Sequence, residues 1–218
     1  MSYHGRVSRG GPPEVRELAE LIITKMSVGD FDNNTYLLRC RQTDQQLLID
    51  AAAEPDRILT LVGDSGLARV VTTHRHGDHW QGLAEVVAAT GAETCAGADD
   101  AEEIPVPTDH LLRDGDTVTV GRVTLEVIHL VGHTPGSVAL LYDDPAGTPH
   151  LFTGDSLFPG GVGNTFGIAD NFKSLFRDVS AKIFDRLPDE TWFYPGHGND
   201  STLGAERGSL PEWEARGW

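Results

Sequence analysis

The sequence predicts one domain of mixed α and β structure, an α/β or α+β fold built in layers. Short apolar segments typical of strands alternate with amphipathic segments typical of helices. Several strand-like segments run directly into motifs that combine glycine with histidine or aspartate. The 218 residues suffice for a sizeable core, and no change in composition marks a linker between two domains. The predicted domain therefore covers residues 1–218.

The first half is expected to open with three strands, over 21–25, 35–38 and 46–50, with a turn over 29–34. A helix is predicted over 54–62, where Pro55 lies in the first turn and its missing N–H is tolerated. It leads into a strand over 69–73. Apolar residues then recur at helical spacing over 79–89 and stop at Gly91, which predicts a second helix.

The second half begins with alternating valine and leucine residues on either side of Gly121, a pattern that predicts a hairpin. Another strand pair is predicted over 138–142 and 150–152, and a last strand over 191–194. Between them, residues 171–187 form an amphipathic pattern whose apolar stripe is expected to pack in the core. The segment 203–218 is expected to pack back on the domain rather than against a neighbour.

The most informative motif is His74-x-His76-x-Asp78-His79, which directly follows the strand predicted over 69–73. A neutral imidazole has one donor and one acceptor, and both need partners when the ring is buried. A divalent cation supplies such a partner, because it binds the bare nitrogen while the other nitrogen donates to a neighbouring group. The cluster therefore predicts a metal site at the end of this strand.

Three further residues follow strand-like segments beside glycine, namely His133, Asp155 and His197. Taken singly, each fits a turn or a cap equally well. Together with the first motif they make five imidazoles and two carboxylates. A catalytic zinc ion uses about three protein ligands, so the set suits a centre with two ions. Zinc, iron and manganese all accept such ligands.

The motifs resemble the ligand set of metallo-β-lactamase-fold hydrolases, in the branch similar to glyoxalase II. The resemblance implies an αββα four-layer sandwich. It also implies two divalent metal ions, with Zn²⁺ favoured over iron or manganese. In the implied arrangement one ion is held by His74, His76 and His133, the other by Asp78, His79 and His197, and Asp155 bridges both.

The resemblance further implies a binuclear metallohydrolase that cleaves a thioester or related ester of a small acyl-thiol. A hydroxide shared by the ions would attack the carbonyl carbon, and Asp78 would orient it. Val162, Asn164 and Ser137 differ from the motifs of glyoxalase II itself, which leaves the thiol carrier open. The glycine-rich segment 157–166 is expected to form a wall of the substrate site. Its candidate substrate contacts are Phe158, Asn164 and Phe166.

Two other functions fit the same motifs. An iron-dependent persulfide dioxygenase resembles this chain in the first motif and in the segment His133-Thr-Pro-Gly, and it would use a single iron held by two imidazoles and Asp155. A noncatalytic metal-binding module is the other alternative. The number of bound ions distinguishes the two-ion hydrolase from the single-iron enzyme.

Composition restricts the partners. Acidic residues outnumber basic ones, 33 to 17, for a net charge of −16, so a nucleic acid partner is not expected. The apolar stretches are far shorter than the roughly 18 residues that span a bilayer, and no signal-peptide core follows Met1. We therefore expect a cytoplasmic protein without a membrane partner. Cys40 and Cys95 are expected to be small buried residues, and the oligomeric state is left open.

Overall fold

The computed structural model describes residues 3–217 and contains two large β-sheets. The first sheet has seven strands that lie side by side in chain order. They pair antiparallel up to the fourth strand and parallel thereafter. These strands are β1 (Glu14–Glu17), β2 (Leu21–Val28), β3 (Asn33–Cys40), β4 (Gln46–Ile49), β5 (Arg69–Thr72), β6 (Glu93–Gly97) and β7 (His110–Leu112).

The second sheet has six strands. They are β8 (Thr117–Val120), β9 (Val123–His129), β10 (Val138–Tyr142), β11 (His150–Gly154), β14 (Trp192–Pro195) and β15 (Ser201–Thr202). Their spatial order is β15-β14-β11-β10-β9-β8, with β11 and β14 parallel. The short strands β12 (Leu157–Phe158) and β13 (Gly161–Val162) form a separate ribbon after β11. The hairpin predicted around Gly121 is present as β8 and β9.

Helices cover the outer face of each sheet. On the first sheet these are α1 (Pro55–Val62) and α2 (Leu83–Thr90), whose buried apolar residues pack with those of β4 and β5. On the second they are α3 (Ala169–Val179), α4 (Leu203–Arg207) and α5 (Leu210–Arg216). The α3 helix continues in a π-helical turn, Ser180–Phe184. Trp213 of α5 is buried against Phe184, as expected for a C-terminal segment that packs back on the domain.

The inner faces of the two sheets share one apolar core. Tyr36 of the first sheet contacts Phe152 and Tyr194 of the second, with ring centroids 5.4 and 5.6 Å apart. The order of layers is therefore helix, sheet, sheet, helix, and the predicted αββα sandwich is confirmed. That residues 1–218 form a single domain stays a prediction, and Met1, Ser2 and Trp218 lie outside the described residues.

Several boundaries differ from expectation. The helix predicted from residue 79 begins at Leu83, because Gly77–His79 form a tight 3₁₀ turn of their own. The strands β1, β6 and β7 were not predicted; each is short and lacks a run of large apolar residues. Within residues 3–217, no helix has the length and apolar character needed to cross a bilayer.

Candidate metal centre

The seven predicted ligands meet at one edge of the interface between the sheets. Three overlapping sets of ligand atoms each lie within 4.8 Å of one another. The first ligand group is His74, His76 and His133, and the second ligand group is Asp78, His79 and His197. Asp155 lies between the two groups, because it forms a set with His74 and His79.

The loop after β5 supplies four of the seven residues. Its 3₁₀ turn is closed by the hydrogen bond from the His79 amide to the His76 carbonyl, at 3.0 Å. The Asn33 side-chain amide donates to both the backbone carbonyl and the carboxylate of Asp78, at 2.8 and 3.0 Å. The turn thus directs His76 toward the first ligand group, and Asp78 and His79 toward the second.

Hydrogen bonds determine which nitrogen of each imidazole can bind a cation. Nδ1 of His133 lies 2.8 Å from the carbonyl oxygen of Asn164, and Nδ1 of His197 lies 2.8 Å from that of Phe31. A carbonyl oxygen only accepts, so each Nδ1 carries the proton and each Nε2 presents a lone pair. His79 is arranged in the same way, since its Nδ1 lies 2.8 Å from a carboxylate oxygen.

The Nε2 atoms of four imidazoles face one another in pairs. Nε2 of His74 lies 3.2 Å from Nε2 of His133, and Nε2 of His79 lies 3.2 Å from Nε2 of His197. Two bare nitrogens at that distance repel unless a proton or a cation lies between them. Asp155 Oδ1 is buried and has no hydrogen-bond partner. Imidazole nitrogens and carboxylate oxygens converging in this way fit divalent transition-metal ions.

The electrostatics of the centre favour the ligand form of several groups. Burial lowers the pKa of His74 far below its usual value, and it also lowers the pKa of His133 against the opposing effect of Asp155. Burial raises the pKa of Asp155, but the neighbouring imidazoles, His79 foremost, outweigh it and hold the pKa well below normal. Neutral imidazoles and an ionised carboxylate are the forms that bind metal.

The second ligand group is more basic in the metal-free protein. Burial lowers the pKa of His79, but the carboxylates of Asp50 and Asp155 outweigh burial and raise it well above normal. The pKa of His197 is also raised, because the hydrogen bond and charge of Asp155 outweigh its burial. Protons therefore compete more strongly for this group than for the first.

Asp50 is a functional candidate that the sequence analysis missed. It directly follows β4, is buried and has a φ of 58°, a left-handed conformation that aspartate tolerates. Its carboxylate accepts from the amide and hydroxyl of Thr73, at 2.7 and 2.8 Å, and from Nδ1 of His79 at 2.8 Å. The only sequence signal was a carboxylate at the end of an apolar strand.

Asp100 joins two ligand-bearing loops and was also missed. Its buried carboxylate accepts from the Arg75 amide at 3.0 Å, between His74 and His76. It also accepts from the Thr134 hydroxyl at 2.5 Å and the Gly136 amide at 2.8 Å, in the loop that carries His133. One carboxylate therefore sets the spacing within the first ligand group.

The loop of His197 is held by a buried ion pair from the other sheet. Lys25 of β2 donates to the Gly198 carbonyl at 2.7 Å and to Asp200 Oδ1 at 2.5 Å, and both charged side chains are 0% exposed. The Asn34 amide donates to the same Gly198 carbonyl at 2.9 Å. A lysine within an apolar strand was the sequence signal for this contact.

Close packing at the centre requires glycine at position 196. A Cβ atom on Gly196 would lie 2.1 Å from Asp155 Oδ1 and 2.8 Å from Cε1 of His79. Both distances are far shorter than van der Waals contact, so any side chain here would displace Asp155 or His79. The glycine before His197 therefore allows β14 to approach the centre.

The predicted substrate contacts flank the two ligand groups. The Phe166 ring lies 5.9 Å from that of His133, and the Phe158 ring lies 6.3 Å from that of His197. Asn164 orients both neighbours, since its carbonyl accepts from His133 and its side-chain oxygen accepts from the Phe166 amide at 2.8 Å. Contact of these residues with a substrate stays a prediction.

Comparison with known proteins identifies the family. A family model described as the metallo-beta-lactamase superfamily matches residues 28–197. The chain belongs to the metallo-β-lactamase superfamily. Hydroxyacylglutathione hydrolase from Fuscovulum blasticum is 36% identical over 169 residues, which are 76% of this chain and 62% of the relative. The predicted likeness to the glyoxalase II branch is thereby confirmed, although the match covers only about three fifths of that relative.

Solved structures of the superfamily are similar over most of the chain. ETHE1 from Myxococcus xanthus has a TM-score of 0.77 and 30% identity, and the match covers 88% of this chain and 84% of that one. TTHA1623, solved in a di-iron-bound form, has a TM-score of 0.69 and 32% identity, with 84% and 96% covered. These structures share the fold, and the TTHA1623 structure contains two iron ions.

Proposed function

We propose that this member of the metallo-β-lactamase superfamily is a binuclear metallohydrolase that cleaves thioesters or related esters. The observation that carries the proposal is the pair of facing Nε2 atoms in each ligand group, with the Asp155 carboxylate, whose buried Oδ1 has no hydrogen-bond partner, between the groups. That arrangement suits two cations. The similarity to hydroxyacylglutathione hydrolases supports thioesters as the substrate class.

The residues that would hold the ions follow from the two groups. One ion would be held by the first ligand group and the other by the second, with Asp155 contributing to both. Zn²⁺ suits the set best, and iron or manganese also fits. Bound divalent ions would lower the pKa of water toward neutrality and stabilise negative charge on the carbonyl oxygen of the substrate.

The chain's own residues position the reactants. Asp78 is held by Asn33 and keeps 28% of its side chain exposed, so it can accept a hydrogen bond from the nucleophilic water and orient it. The oxygen of water adds to the carbonyl carbon, the carbon–sulfur bond breaks, and the products are a carboxylate and a thiol. Because a thiolate leaves with little need of a proton, we assign no general acid.

The natural substrate is proposed to be a small acyl-thiol rather than a nucleic acid or a membrane. The excess of acidic over basic residues, 33 to 17, disfavours anionic polymers. We also propose a cytoplasmic location, because Cys40 and Cys95 are both unpaired and buried, as is usual in a reducing compartment.

Metal analysis combined with turnover tests the proposal. Protein purified without added ions should contain two ions per chain and hydrolyse thioesters. Asp155→Asn should weaken metal binding and reduce turnover more than about a hundredfold. This loss exceeds the roughly 10–100-fold loss that is usual when a residue that only hydrogen-bonds to a metal ligand is replaced. Asp144→Asn is the matched control, because Asp144 is buried and bonded to Tyr142, outside the ligand groups.

The proposal fails if protein with two bound ions turns over no thioester while a hydroxyacylglutathione hydrolase does so in the same assay. One iron per chain with oxygen uptake on a persulfide would instead indicate the dioxygenase. The ETHE1 neighbour is compatible with that alternative but does not favour it. Tight metal binding without either reaction would indicate a noncatalytic module.

A further inference from the structure

Beside the first ligand group lies an open cleft of about 310 Å³, here called the acyl cleft. Its lining includes His76, His133, Val131, Pro135, Phe166 and Ile168. Resting on the hydrolase function proposed above, we propose that this cleft binds an apolar acyl group, and that the preferred substrates are thioesters of uncharged thiol carriers.

Exposed apolar side chains concentrate at this site. Five large hydrophobic residues are exposed within residues 3–217, and they are Val15, Phe31, Leu111, Phe166 and Ile168. Phe166 and Ile168 line the acyl cleft with 58% and 52% of their surface exposed. Phe31 lies on the other side of the centre, where its carbonyl accepts from His197. Clustered exposed apolar surface beside polar ligands is typical of a substrate site.

The backbone conformation of Phe166 also supports a substrate site at the acyl cleft. Its φ is 57°, a left-handed conformation that costs a bulky residue free energy. The ring is not buried in return, because it remains mostly exposed, stacked at 30° against His133 and edge-on to His76. The Asn164 side chain holds this conformation by accepting from the Phe166 amide. A strained, exposed ring beside the candidate metal ligands is explained if it contacts the substrate.

The charges around the centre argue against an anionic carrier. Arg75, the charged residue in the lining of the acyl cleft, is paired with Glu103 and lies near Asp100. The cleft on the Asp78 side contains Arg9, which is paired with Asp30.

That second cleft also contains Glu54 and Asp78, so carboxylates outnumber arginines in its lining. Among the residues that line these two clefts, no cation is left without a carboxylate partner. A carrier with carboxylates, such as glutathione, therefore finds no unpaired side-chain cation in either cleft and an excess of carboxylates in the second. An uncharged carrier is not repelled by these carboxylates.

Steady-state kinetics on two matched series test the inference. The metal-loaded protein is assayed with acetyl, butyryl, hexanoyl and octanoyl thioesters of N-acetylcysteamine, which is uncharged, and of glutathione. We expect kcat/KM to rise about fourfold per methylene until the cleft is filled, from the transfer free energy of a buried methylene. For each acyl group the N-acetylcysteamine ester should be preferred, by about tenfold at low salt.

Two variants test whether the acyl cleft determines the preference for longer acyl chains. Phe166→Ala should lower the octanoyl-to-acetyl ratio of kcat/KM about tenfold, since it removes a wall of the acyl cleft. Leu111→Ala is the matched control, because Leu111 is 53% exposed but lines a different cleft, and it should leave the ratio unchanged. Metal content is measured for both variants, so that an indirect effect through His133 is recognised.

The outcomes separate this inference from the function on which it rests. If no thioester of either series is hydrolysed, the proposed function fails. If thioesters are hydrolysed without dependence on chain length, with a preference for glutathione, or with a ratio unaffected by Phe166→Ala, the hydrolase function stands and this inference is overturned.

Discussion

The candidate ligands from the two halves of the chain reach the candidate metal centre by different routes. Four of the seven, from His74 to His79, come from a single loop after β5, in which a 3₁₀ turn sets their directions. The other three come from separate loops after β9, β11 and β14. The four residues of the loop after β5 are organised by local backbone structure, and the three later residues are organised by packing between the sheets.

The anchors of the two sets show this difference. Asp50, which holds His79, follows the neighbouring parallel strand β4, so its contact lies within the first sheet. His197 instead donates to Phe31 and is held through Gly198 by Lys25, although these partners are more than 160 residues away in sequence. The later ligands should therefore depend more on the integrity of the whole fold.

The largest expected effect comes from breaking the anchor between the sheets. Lys25→Met should lower the free energy of unfolding of the metal-free protein by about 3–5 kcal/mol, because it leaves the buried Asp200 carboxylate without its cation. Urea unfolding measures this change. The double variant Lys25→Met/Asp200→Asn should recover part of the loss, since no unpaired charge then remains.

The metal content of the Lys25→Met variant tests whether contacts between the sheets position the later ligands. If the ion pair positions His197, the folded Lys25→Met protein should bind one ion with normal affinity and the other more weakly. Equal weakening of both ions, or no weakening with a stability change below about 1 kcal/mol, would contradict the view that inter-sheet contacts position the later ligands.

A smaller effect is expected from the anchor within the first sheet. Asp50→Asn should weaken binding of one ion by about 10–100-fold, because an amide supports the His79 imidazole less well than a carboxylate does. Competition with a chromophoric chelator measures the affinity. Unchanged affinity would show that the local loop positions His79 without this carboxylate.

Asp109→Asn is the matched control for that variant. Like Asp50, Asp109 accepts hydrogen bonds from the amide and the hydroxyl of one threonine, here Thr94, but no imidazole is bonded to it. Its replacement should leave both metal affinities unchanged. A comparable loss in this variant would trace the effect of Asp50→Asn to general destabilisation.

A last expected effect, away from the metal centre, is a pH dependence of the free energy of unfolding that arises in the second sheet. Burial lowers the pKa of His150, on β11, to about 4, and the Arg16 charge adds to this. In the unfolded chain the pKa of His150 is about 6.5. Between about pH 4 and pH 6.5, unfolding is therefore accompanied by the binding of a proton to His150. Stability contributed by His150 is thus present above about pH 6.5 and is lost as the pH falls toward 4, by up to about 3 kcal/mol.

Urea unfolding of metal-free protein at several pH values tests this expectation. The difference in stability between the wild type and His150→Gln should shrink between pH 6.5 and pH 4, since the variant lacks the titrating group. A difference independent of pH would mean that His150 is protonated as readily in the folded as in the unfolded chain.

Most of the strands and the candidate ligands were predictable because their signals are local. Apolar runs revealed β2 to β5, and clustered histidines beside glycine marked the centre. The start of α2 was predicted four residues too early, since the apolar Trp80 fits the helical spacing although Gly77–His79 form a separate 3₁₀ turn. Asp50 and Asp100 were not predicted, because a single carboxylate in a turn has no local feature that reveals its distant partners.

The sequence by itself determined the chemistry available at the centre, namely five imidazoles and two carboxylates in motifs that follow strands and contain glycine. Only the tertiary structure decided how they are grouped: His76 and His79, three residues apart, lie in different ligand groups, while His79 and His197 face each other at 3.2 Å. The physical reason is that ligand geometry depends on sheet packing and on buried contacts such as Lys25–Asp200, whose partners are distant in the chain.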